Sequence, residues 1–100
     1  MSITIKYYDE VDLSDGLIRI FHQDGNLRQT IQGLNKDFVT QNVDVDLNTV
    51  NIKLLKSTLN QPNSMYYVSI ENNFVKSRIY QEPLYGVKEH VWAFNTCKFF

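Results

Sequence analysis

The chain of 100 residues has little of what staples or punctuates small proteins: one cysteine, two prolines, four glycines, one tryptophan and two histidines. A lone Cys97 excludes an intramolecular disulfide, and thiolate zinc sites need further cysteine or histidine ligands nearby. Stability must come from packing. No apolar run approaches the roughly 20 residues of a membrane-spanning helix. The opening MSITIKYYDE has neither the basic flank nor the apolar stretch of a secretory leader. A cytoplasmic location without membrane contact is the expectation. A surplus of positive charge is missing too: the net charge is −1, whereas domains built chiefly to neutralise phosphates carry an excess of lysine and arginine.

What is present is apolar material, 43% hydrophobic and 13% aromatic residues against 21% charged, enough to close one core in a chain of this length. A single domain over residues 1–100 is expected. Charge is uneven, with a net of −4 over residues 1–50 and +3 over residues 51–100. Asparagine and glutamine supply 16 residues, a polar bias of the kind AT-rich coding sequences produce in many phages and low-GC bacteria.

Ser2 to Tyr8 alternates, with Ile3, Ile5 and Tyr7 on one face, which predicts a half-buried strand. The carboxylate-rich DEVDLSDG that follows predicts an exposed loop. In GLIRIFHQDGNLRQTI the pair Asp24-Gly25 lies between two alternating runs and predicts a hairpin with a type I′ turn, His22 facing Leu27, Ile20 facing Gln29 and Ile18 facing Ile31. Phe38 to Val45 is a further candidate strand. LNTVNIKLLKSTLNQ places Leu47, Val50, Leu54, Leu55 and Leu59 at helical spacing, with Asp46 or Asn48 as cap and Pro62 as stop; the competing reading is a strand carrying Val50, Ile52 and Leu54. The helix is the expectation.

MYYVSIENNFVKSRIY predicts a second hairpin about Asn72-Asn73, pairing Ile70 with Val75, Val68 with Ser77 and Tyr66 with Ile79 on the core side. Its other side would pair Tyr67 with Arg78, Ser69 with Lys76 and Met65 with Tyr80. VKEHVWAF alternates again, with His90, Trp92 and Phe94 on one face. The expected fold class is α+β: a mainly antiparallel sheet of about six strands, with two hairpins and one helix packed on it.

VDVDLNTVN has the oxygen ligands of a calcium loop at Asp44, Asp46 and Asn48. The sixth position is Thr49 where the sharp turn needs glycine, and the twelfth is Leu55 where a bidentate glutamate is needed. No metal site or cofactor is expected there. The acidic Asp9, Glu10, Asp12 and Asp15 predict a solvated turn. For catalysis the inventory is His22, His90, Cys97 and carboxylates. His90 and Cys97 fall on opposite faces of one extended strand, and His22 is expected half-exposed at a hairpin end. No phosphate loop, nucleophile elbow or zinc-protease signature occurs. No catalytic residue is assigned.

The candidate binding residues are Tyr67, Arg78, Tyr80 and Lys76, with Phe74 at their edge, aromatic rings interleaved with cations on one sheet face. That composition suits a protein interface and also single-stranded nucleic acid, whose bases stack on rings while cations follow phosphates. The expected function is a small non-enzymatic binding protein that presents a sheet face or edge to another protein, self or host, as a viral or mobile-element accessory or assembly protein would. A homodimer is expected, because open sheet edges template association. The alternatives are single-stranded nucleic-acid binding through the Tyr/Arg/Lys face and a small enzyme with an unfamiliar site.

Overall fold

Alternation with period two runs through most of the chain, and in the computed structural model, which describes residues 2–43 and 48–95, it becomes nine strands. They are β1 (Ser2–Tyr7), β2 (Val11–Leu13), β3 (Leu17–His22), β4 (Leu27–Gln32), β5 (Val39–Val43), β6 (Asn48–Lys53), β7 (Met65–Ile70), β8 (Val75–Ser77) and β9 (Val87–Asn95). All pairings are antiparallel, in sheets ordered β1-β6-β5, β2-β8 and β4-β3-β7-β9. Inward residues of the three sheets meet in one core that includes Ile5, Val11, Ile18, Ile52, Tyr66 and Phe74.

No helix occurs among the described residues, which corrects the expected α+β class to all-β. Of the segment expected to be helical, residues 48–53 form β6, the central strand of its sheet, with β1 on one side and β5 on the other, and residues 56–59 form a turn. Val50 and Ile52 are fully buried and Leu54 nearly so, while Lys53 and Leu55 are exposed. Two β-branched residues on one face suit a pleated strand and lose side-chain freedom in a helix. Burying each contributes about 1.5–3 kcal/mol, well above the few tenths by which helix propensities differ.

The first hairpin forms with Ile18↔Ile31 and Ile20↔Gln29 in register, and then shifts so that Phe21, not His22, faces Leu27. The turn differs from the expected type I′. Gly25 alone takes positive φ (92°), its N–H donating to the His22 carbonyl (2.8 Å), while the His22 N–H donates to the Asn26 carbonyl (2.9 Å). This is a three-residue loop closed by a glycine bulge, the next most common hairpin connection. Unbroken alternation along β3 puts His22 on the inward row of Ile18 and Ile20, buried against Tyr66 with ring centroids 5.2 Å apart, so the expected half-exposed position does not hold.

The second expected hairpin does not form. Asn73 takes the left-handed conformation (φ 70°), and the Phe74 N–H reaches the Glu71 carbonyl (3.3 Å), yet the chain does not reverse. Both edges of β7 are taken, by β3 and β9, so β8 pairs elsewhere, with β2. Ile18↔Ile70 and Leu13↔Val75 belong to one register, joined across the kink by Ser14 N to Phe74 O (2.9 Å) and Gly16 N to Asn73 O (2.8 Å). Residues 11–22 and 66–77 thus form one long kinked ribbon. The acidic loop consequently contains a strand, and Val11 within it is fully buried.

Side-chain hydrogen bonds hold the segment after β6 in place. Buried Gln29 of β4 accepts from the Leu55 N–H (3.1 Å) and the Thr58 hydroxyl, and donates to the Lys53 carbonyl (3.4 Å). Arg28 adds a bond to the Ser57 carbonyl (2.8 Å). Leu54 is thereby fixed facing the core.

Candidate functional site

The kinked ribbon spreads the sequence-nominated residues over the molecule. Tyr67 is half-buried on β7 between Phe21 and Ala93, near the end of β3. Lys76 and Arg78 lie at the far end of the ribbon, beside Asp12 of β2. Tyr80 is 73% exposed in the turn beyond β8, and Phe74 is buried in the core. The expected pairing of Tyr67 with Arg78 is absent, because it required the reversal that β3 and β9 prevent. No shared face of these five residues exists.

Arg78 has a local partner. Its Nε lies 2.9 Å from Asp12 Oδ1, and its Nη2 donates to the Val11 carbonyl (3.1 Å). The Arg78 hydrogen bond holds the Asp12 carboxyl below the usual carboxylate range, despite some opposing desolvation. A depressed folded-state value means stability present above the unfolded value and lost as pH falls below about 4. The expected outcome is a melting temperature that drops between about pH 4 and pH 2 at low salt, with a smaller drop in Arg78→Gln; pH-dependent thermal melts followed by circular dichroism check this. The pair is exposed, so its share is about 0.2–1 kcal/mol.

The structure gathers a different group of residues at the margin where β1 and β9 lie. Each is the last strand of its sheet. Pairing with β6 sets Ser2 opposite Lys53 and Ile3 opposite Ile52, which brings the start of β1 beside Leu54. Pairing with β7 sets Trp92 opposite Val68 and Phe94 opposite Tyr66, the last two rings stacked at 5.7 Å. Between these walls lies a cleft of about 410 Å³, lined by Ser2, Ile3, Leu54, Val68, Trp92, Ala93 and Phe94. That volume is in the range of ligand-binding clefts. No charged side chain among the described residues lines it. Trp92, the chain's one tryptophan, is on the inward-facing row with Val68 yet stays 41% exposed.

Such a cleft offers two things at once. Apolar walls reward burial of a side chain, and the two flanking strands, each paired on one side only among the described residues, offer backbone donors and acceptors to another strand. Sequence reasoning grouped Trp92 with Phe94 on one face of β9. It missed Ile3, Leu54 and Val68, which join them only through pairings between distant segments.

Elsewhere, His22 Nδ1 lies 3.0 Å from Asp24 Oδ1 and 3.2 Å from the Asp24 backbone nitrogen, while its buried Nε2 has no hydrogen-bond partner among the described residues. Among the described residues no three His, Cys, Asp or Glu side chains are grouped to hold a metal ion. Asp44 and Asp46 of the calcium-like stretch, Cys97 and the His90 side chain lie outside the described residues. No helix among the described residues is long and apolar enough to cross a membrane. Comparison with protein-family models, curated proteins and solved structures found no match.

Proposed function

We propose that this chain is a non-enzymatic binding protein that captures an extended segment of another protein in the cleft between β1 and β9. The observation that carries this reading is the apolar cleft bounded by two sheet-terminal strands, with a half-exposed tryptophan at its mouth. A strand laid there gains main-chain hydrogen bonds from an edge and buries alternate side chains against Ile3, Leu54 and Trp92, the mode known as strand addition. An accessory or assembly role in a viral or mobile-element setting fits a module of this kind.

Trp92→Lys tests the reading, because it places a charge in the cleft mouth at an edge position. Affinity capture of a partner by the parent chain, with mass spectrometry, is expected to be lost in Trp92→Lys while the melting temperature changes by a few degrees at most. Capture should also move the parent's tryptophan emission to shorter wavelength. Partners retained equally by the variant would exclude the cleft. Light scattering over a range of concentrations distinguishes the other occupant, a second copy of the chain, which would give a homodimer that Trp92→Lys dissociates.

A further inference from the structure

The elements around the cleft carry an excess of positive charge. Ser2–Tyr7, residues 48–60, Met65–Ile70 and Val87–Asn95, the segments that build its walls and rim, carry Lys6, Lys53, Lys56 and Lys88 against one carboxylate residue, Glu89. The chain as a whole has 11 acidic and 10 basic side chains, so this is a local separation and not a general basicity. Lys6, Lys53 and Lys56 are exposed, and none of these three takes part in the ion pairs found among the described residues, which use Arg19, His22 and Arg78. Lys53 stands opposite Ser2 at the cleft wall, Lys56 lies two residues beyond Leu54, and Lys6 continues along β1 on the row of Ser2 and Thr4.

From the apolar floor and the lysine rim together, we infer that the cleft selects an extended segment whose apolar residues alternate with small polar ones and whose flanks carry carboxylates. The inference rests on the cleft reading above and adds the chemistry of the partner. The apolar anchors fill the space between Ile3 and Trp92, while acidic flanks meet lysines that have no carboxylate on their own elements. Complementary charge at a rim acts on specificity and association rate. A segment with basic flanks would be repelled by the same three ammonium groups.

The test uses the full chain and two synthetic peptides that share a core of alternating valine and threonine, one flanked by aspartates and the other by lysines. Trp92 emission is titrated with each at low salt. The aspartate-flanked peptide is expected to bind roughly tenfold tighter, a preference that shrinks at high salt. The double variant Lys53→Glu, Lys56→Glu should reverse the order, and Lys53→Gln, Lys56→Gln should shrink it to the share that Lys6 supplies. Both variants alter exposed side chains, and thermal melts verify that they fold. Equal binding of the two peptides by the parent overturns the inference and leaves the cleft reading standing. If neither peptide changes Trp92 emission at millimolar concentration, both readings fall.

Discussion

Phe74→Ala is expected to lower stability by about 3–5 kcal/mol, a large fraction of the roughly 5–15 kcal/mol that holds a domain folded. Phe74 follows Asn73 at the kink of the long ribbon and is only 1% exposed. Its ring is held where residues 14–16, the turn 71–74 and the end of β4 converge: the backbone of Phe74 accepts from the Ser14 N–H (2.9 Å), and Gly33 packs beside it. Truncation removes the apolar contact and leaves a void that the tightly bonded backbone cannot collapse to fill. Chemical denaturation of the variant measures the loss. Tyr80→Ala is the matched control. Tyr80 is 73% exposed, and its removal should change stability by less than about 0.5 kcal/mol. Equal effects of the two substitutions would mean that the chain reverses at the asparagines after all.

Gly86→Ala is expected to destabilise by about 1–3 kcal/mol and to disturb the β7–β9 margin specifically. A methyl group on residue 86 would lie 1.8 Å from the Ile70 carbonyl oxygen and 2.6 Å from the Glu71 carbonyl carbon. Both are backbone atoms, so no side-chain rotation relieves the overlap. The chain must move away, which breaks the bond from the Gly86 N–H to Asn72 Oδ1 (2.7 Å) and strains the Ile70↔Val87 pair that starts β9. Because β9 carries Trp92 and Phe94, the cleft should widen before the rest of the fold is affected. Hydrogen exchange of the β9 amides and quenching of Trp92 by acrylamide report this opening. Gly25→Ala provides the contrast: nothing lies within 4 Å of a methyl group there, and only its positive φ (92°) opposes substitution, at about 1 kcal/mol. The two glycines serve different physical needs.

Periodicity in the sequence determined which faces are buried. Ile3, Ile5 and Tyr7 share one side of β1; Ile18 and Ile20 share one side of β3; Tyr66, Val68 and Ile70 share one side of β7. The first hairpin was legible because its partners are adjacent in sequence and an Asp-Gly pair bends the chain between them. Even the left-handed conformation of Asn73 was foreshadowed by its residue type, since asparagine tolerates positive φ.

Only the tertiary structure decided which strand pairs with which. A row of alternating residues states which face is apolar and is silent on which neighbour occupies each edge, because backbone hydrogen bonds are nearly the same for any partner. The run from Tyr66 to Ser77 was equally able to fold back on itself or to lie along residues 11–22; the second arrangement won by giving β7 two partners and burying Phe74 and Val11. Residues 48–54 met the spacing of a helix and of a strand alike, and strands on both sides tipped the balance towards β6. The cleft follows from the same cause: Ile3, Leu54, Val68 and Trp92 are scattered along 90 positions, and only pairings between distant segments bring them to one margin.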